Sequence, residues 1–202
     1  MAKQARSETG ITRGAVSVGS VAVELAEKIF GDLTACRVLL LGAGEAGARV
    51  ARSLQSRGVR GLIIANRTFD RAAELAAELG GMALHFDRWQ SALTDVDIVI
   101  SSTAARGHLL SAAELLPVLA LRGDRPLFLV DLAVPRDFDP SLNEMEGVFL
   151  HDIDSLQAMA QRGMAARGRE AERCEKLIDA QVQEFFEWAL QRPSSAPVAA
   201  RS

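Results

Sequence analysis

Arg37-Val38-Leu39-Leu40-Leu41-Gly42-Ala43-Gly44-Glu45-Ala46-Gly47 is the stretch on which the fold of this chain turns. Val38 to Leu41 form an unbroken apolar run, the pattern of a central parallel strand covered on both faces. Glycines follow at once in G-x-G-x-x-G spacing, and Ala46 to Arg57 then read as a helix ended by Gly58. Alone, that spacing is a weak signal, because glycine is common. Its context gives it weight: it follows an apolar strand, opens a helix and lies in a β-α-β unit. In such a turn Gly42 permits the tight bend, Gly44 lets backbone approach a pyrophosphate, and Gly47 lets helix pack close to strand. The free N–H groups of the helix start then face the phosphates.

The next strand is expected at Leu62 to Ala65, followed by a helix from about Phe69 to Leu79 that Gly80-Gly81 end. An Asp or Glu at the end of this second strand would accept hydrogen bonds from ribose hydroxyls and select NAD. Here Asn66-Arg67-Thr68 stand instead. Arg67 can clamp a 2′-phosphate, Asn66 and Thr68 can donate to it, and Arg71 offers a second cation one turn on. NADPH is therefore favoured over NADH.

Further strand-like segments lie at Ala83 to Phe86, Asp97 to Ser101, Leu127 to Val130 and Val148 to Leu150, with helical patterns between most of them. Strands alternating with helices predict an α/β, doubly wound parallel sheet of the Rossmann, NAD(P)-binding kind. Ser102-Thr103-Ala104 follow the fourth strand, near the crevice where strand order reverses, and suit close contact with the ligand. The expected cofactor-binding set is thus Gly42, Ala43, Gly44, Glu45, Ala46, Gly47, Asn66, Arg67, Thr68, Ser102, Thr103 and Ala104.

Outside this domain, placed at residues 35–151, an apolar stripe through Val18, Val21, Ala22, Leu25, Ala26 and Ile29 predicts an amphipathic helix over 14–31, closed by Gly31. Residues 1–13 carry no hydrophobic period and read as a flexible N-terminus. Residues 152–191 are helical in pattern, weakened in the middle by Gly163 and Gly168, with Leu156, Met159, Leu177, Ile178, Phe185 and Trp188 as apolar anchors. Residues 192–202 read as a disordered tail.

A net charge of −3 over 202 residues gives no general attraction for DNA or for anionic membranes. Arginine makes up all but three of the 23 basic residues, so local phosphate contacts stay open. No apolar run reaches the roughly 18 residues a bilayer needs, and the first residues lack a signal-peptide core, so the expected location is cytoplasmic. Cys36 and Cys174 are far apart and lack metal-ligand spacing.

Groups for chemistry beyond hydride transfer are scarce. Cys36 precedes the first strand, opposite the crevice, and reads as a packing residue. Cys174 lies in the late charged helix. His85 ends one strand, His151 follows the sixth, and His108 alone stands near the crevice. Asp131, Arg136 and Asp137 follow the fifth strand on the ligand side, where a charged loop can orient a cofactor, meet another domain or simply be solvated. No catalytic residue and no metal site is assigned.

Gly42 to Gly47, Ala65-Asn66-Arg67-Thr68, Ile100-Ser101-Ser102-Thr103, the segment from Asp131 through Ala133-Val134-Pro135-Arg136-Asp137 to Pro140, and Gly147 to Leu156 together resemble the glutamyl-tRNA reductase family. Thr9-Gly10-Ile11 and Gly14 to Val18 resemble the start of that family's connecting helix, so the likeness runs over about residues 6 to 192. It implies NADPH-dependent reduction of glutamyl-tRNA to glutamate-1-semialdehyde, for tetrapyrrole synthesis, through a thioester on a cysteine of an N-terminal catalytic domain. That domain is not matched here, and neither Cys36 nor Cys174 corresponds to its nucleophile. The chain alone is therefore expected to bind NADPH without reducing glutamyl-tRNA. The resemblance also implies a homodimer in the full-length protein, with residues 152–191 starting the dimerisation domain. Two other readings stand beside it. One is a shikimate or quinate dehydrogenase-like oxidoreductase domain, which would need a Lys-Asp pair that Lys3, Lys28 and Lys176 are poorly placed to supply. The other is a non-catalytic NADPH-binding module.

Overall fold

In the computed structural model, which describes residues 17–190, the apolar run after Cys36 is strand β1, Arg37–Leu41, with every residue from Val38 to Leu41 fully buried. Such a strand needs cover on both faces, because alternate side chains point to opposite sides. Val38 and Leu40 enter one core, and Leu39 and Leu41 enter the other. Parallel neighbours satisfy its backbone: β2, Gly61–Asn66, on one side and β4, Ile98–Ser101, on the other. With β3, Met82–His85, β5, Leu127–Asp131, and β6, Val148–Asp152, the described residues form a six-stranded parallel sheet in the order β3-β2-β1-β4-β5-β6. This is the doubly wound, Rossmann-like order, and it reverses between β1 and β4.

Helix α1, Val18–Phe30, starts at Ser17. The Ser17 hydroxyl accepts the Ser20 N–H at 3.1 Å and the Ser20 hydroxyl accepts the Ser17 N–H at 2.8 Å, a reciprocal cap that fixes the helix start. Gly14 to Val16, expected in this helix, lie outside the described residues, as do the N-terminal and C-terminal tails. Helices α2, Glu45–Gln55, and α3, Phe69–Leu79, pack with α1 over the Val38 and Leu40 face. Gly80, with φ of 63°, closes α3 in the left-handed conformation, as its place in the sequence predicts. The other face is covered by a 3-10 segment, Phe86–Ala92, and by α4, Ala112–Arg122.

His151 lies inside β6 rather than after it, because the sixth strand runs two residues beyond the apolar Val148 to Leu150. Its ring meets Phe128 edge-on at 6.0 Å. The last helix, α5, Ile153–Leu190, places Leu156 and Ala160 in the core. It continues through Gly163 and Gly168 without a break, since backbone bonding tolerates the lower helical propensity of single glycines. The unit built around the sheet ends at Gln161; residues 162–190, in a second unit, are all helical, with Cys174 buried and Ile178 and Trp188 exposed. No helix among the described residues is long and apolar enough to cross a membrane.

Candidate functional site

At the carboxyl end of β1 the chain turns sharply. Gly42 takes φ of 92° and donates its N–H to the Ala65 carbonyl at 2.8 Å. An added Cβ there would stand 2.4 Å from the Ser102 carbonyl oxygen, so both conformation and space demand glycine. At Gly47 an added Cβ would stand 2.6 Å from Leu40 Cδ1 and 3.2 Å from Ser102 Cβ, which is close helix-to-strand packing. Gly44 differs from both. Its φ of −82° is open to any residue, and an added Cβ would find only ordinary contacts, 3.4 Å to Ser102 Oγ and 3.6 Å to the Ser102 carbonyl. The fold does not require glycine at 44, but a ligand passing over the turn would.

That turn is the floor of a groove of about 260 Å³. Gly42, Ala43 and Gly44 form its floor, Ser102, Thr103 and Ala104 one side, and Asn66, Arg67, Thr68, Arg71 and Phe86 the other. Nine of the expected site residues are therefore brought together around one space. Glu45, Ala46 and Gly47 do not line it. Glu45 turns outward to pair with Arg49 at 3.1 Å and Arg52 at 3.8 Å, and with Ala46 it borders a separate cleft of about 730 Å³ that also includes Val18, Leu132 and Ile153.

The groove is electropositive by construction. None of the described residues that line it is acidic, while Arg67 and Arg71 contribute cations. Neither α2, with Gly44 at its N-cap, nor α3, with Thr68 there, has a side-chain cap. Their N-cap residues, Gly44 and Thr68, both line the groove, so two uncapped helix starts meet its edge, an arrangement that favours phosphate. The Arg67 guanidinium stands over the Phe86 ring, 5.9 Å from its centre. Phe86 is a lining residue that the sequence reading missed: it was expected as the last residue of a strand, whereas β3 ends at His85 and Phe86 opens the 3-10 segment beside the groove.

Asn66 lines the groove with its amide already engaged. Its Oδ1 accepts the Ala43 N–H at 3.3 Å and its Nδ2 donates to the Thr68 carbonyl at 2.8 Å, so the amide ties the two groove-side loops together. The Thr68 and Ser102 hydroxyls also line the groove, and neither has a hydrogen-bond partner among the described residues.

Of the readings open for the loop after β5, solvation does not hold, since its carboxylates are neither solvated nor exposed to the groove. Asp131 and Asp137 are buried at 1% and 0% exposure. Asp131 accepts N–H groups from Ala133, Asp137 and Phe138 at 2.9 to 3.0 Å. Burial, reinforced by the nearby Asp137 charge, holds the Asp131 carboxyl above its ordinary range against the pull of those bonds. Arg136 donates to the Ala133 carbonyl and pairs with Asp152 at 3.2 Å and with Asp154, locking the loop to the start of α5. His108 is exposed, with Nδ1 3.8 Å from Asp139 Oδ2, and does not line the groove.

Cys36 is buried at the opposite end of β1, and burial together with Asp97 and Asp32 pushes its thiol up to about 11, outweighing Arg125. That thiol is protonated and unreactive at neutral pH. Lys28 pairs with Glu24 on α1 at 2.8 Å.

Residues 24–159 match the family model described as shikimate / quinate 5-dehydrogenase. Among curated relatives, the chain is 46% identical over 184 residues to a glutamyl-tRNA reductase of Akkermansia muciniphila, covering 91% of this chain and 54% of that protein. It is 46% identical over 199 residues to that of Geobacillus thermodenitrificans, covering 98% and 44% respectively. The chain thus spans about half the length of the relatives it matches. Among solved structures, glutamyl-tRNA reductase from Methanopyrus kandleri superposes with a TM-score of 0.82 at 41% identity, over 93% of this chain and 47% of that one.

Proposed function

The chain belongs to the shikimate / quinate 5-dehydrogenase family, and from that membership and its glutamyl-tRNA reductase homologues we propose that it is the NADPH-binding part of such a reductase. The whole enzyme would reduce glutamyl-tRNA to glutamate-1-semialdehyde in the cytoplasm. The observation that carries this reading is Gly44, a glycine that neither backbone conformation nor packing explains, at the floor of a groove without acidic lining.

Bound there, NADPH would supply a hydride. The protein's own part is binding and orientation. Free N–H groups at the start of α2 would take the pyrophosphate, and Arg67, Thr68 and the start of α3 would take the 2′-phosphate. Ser102, Thr103 and Ala104 would bound the remainder of the dinucleotide. An aminoacyl ester also needs a covalent nucleophile to pass through a thioester. Cys36 is unsuited by burial and by distance from the groove, so within the sheet-bearing unit we assign hydride supply and no nucleophile. We further assign the segment expected at 14–31, of which the structure describes 17–31, to a connecting helix, and the segment expected at 152–191 to the start of a dimerisation domain in a homodimeric whole, which would meet glutamyl-tRNA through its catalytic domain.

Arg67 tests the coenzyme preference. Arg67→Ala should weaken NADPH binding by roughly 1 to 3 kcal/mol through loss of a charged hydrogen-bonded contact, and leave NADH binding nearly unchanged. Equal losses for both coenzymes, measured by calorimetry, would assign Arg67 a different role.

A further inference from the structure

Ser102 is wedged against the glycine turn, its carbonyl oxygen over Gly42 and its Cβ beside Gly47. The position of this wall therefore depends on how the two neighbours of Ser102 are held. One carboxylate holds both. Asp137 Oδ2 accepts the Ser101 hydroxyl at 2.5 Å and the Thr103 N–H at 3.1 Å, and its Oδ1 accepts the Thr103 hydroxyl at 2.8 Å. Thr103 Oγ1 in turn accepts the Ala105 N–H at 3.2 Å. Asp137 is itself anchored, donating its N–H to Asp131 Oδ2 at 2.9 Å. It is fully buried and does not line the groove, so it reaches a ligand only through the wall. A buried carboxylate is costly unless its lone pairs are filled, and charge-assisted bonds to it are strong. The loop after β4 is thereby held in one shape by a group 34 to 36 positions further along the chain.

We propose that Asp137 is a positioning residue for the dinucleotide, fixing the Ser102–Ala104 wall and so the half of the ligand that leaves the glycine turn toward β4. This rests on the dinucleotide reading above. Arg67 and Thr68, at the end of β2, lie on the other side of β1 in the sheet, and their hold on the phosphorylated adenosine half does not pass through Asp137.

Two ligands of unequal reach test this: NADPH, which spans both halves, and adenosine 2′,5′-bisphosphate, which carries only the first. Asp137→Asn is nearly isosteric but puts a donor where an acceptor is needed. It should raise the Kd for NADPH about tenfold and leave that of the bisphosphate within about twofold. Ser101→Ala removes one of the three bonds and nothing from the groove; it should raise the NADPH Kd about threefold, and it stands in where Asp137→Asn does not fold. Unchanged NADPH affinity in a folded variant, or equal losses for both ligands as a loosened fold would give, overturns the proposal. An unmutated chain that binds neither ligand removes the dinucleotide reading and this proposal with it.

Discussion

Gly42, Gly44 and Gly47 sit in one turn, yet a methyl group at each would meet different surroundings. Gly42→Ala must bear a left-handed backbone and a backbone oxygen at 2.4 Å, and should cost about 1 to 3 kcal/mol of stability. Gly44→Ala should leave the melting temperature nearly unchanged while weakening NADPH binding at least about tenfold, because its methyl group enters the groove. A Gly44→Ala protein that melts early and binds normally would show that the residue serves the fold alone. These glycines were legible in the sequence, since spacing and a preceding apolar strand are local signals. Asn66 was legible only as a groove neighbour: an amide can bond a phosphate or a backbone with equal chemistry, and its actual partners, Ala43 and Thr68, depend on how two loops meet. Asp137 was less legible still, because a charged residue in a charged segment reads as solvated until Ser101 and Thr103 are seen beside it.

At the scale of elements, every strand of the sheet was foreseen, with ends displaced by a residue or two. Apolar runs mark where a strand is buried, not where its backbone pairing stops. β6 shows the difference, extending from the apolar Val148 to Leu150 through His151 and Asp152 because both pair with β5. Burial holds the His151 imidazole below its ordinary 6.5, against the opposing charge of Asp152. The unfolded chain therefore takes up this proton more readily than the folded one, and stability falls as pH drops through 6.5 toward the depressed folded value. Replacing His151 with Phe should remove that contribution, so the variant should lose less unfolding free energy than the parent between about pH 7.5 and 5.5 in denaturant titrations. An equal loss in both proteins would place the acid sensitivity elsewhere. The 3-10 segment from Phe86 to Ala92 shows the converse, for its apolar residues gave no clear helical period, and Phe86 reaches the groove only because β3 delivers it there.

For the whole molecule, alternating strands and helices made the doubly wound sheet legible, and the place of the reversal between β1 and β4 puts the groove where such sheets bind nucleotides. What single-sequence patterns could not supply was the second tier of support, the Asp131 and Asp137 carboxylates under the loops, because it joins elements distant along the chain. The central claim is that a dinucleotide lays its pyrophosphate over Gly44 against the start of α2. Calorimetric titration of the chain with NADPH at low ionic strength tests it most directly. One saturable site per chain is predicted, whereas the absence of any saturable heat up to millimolar NADPH would contradict it.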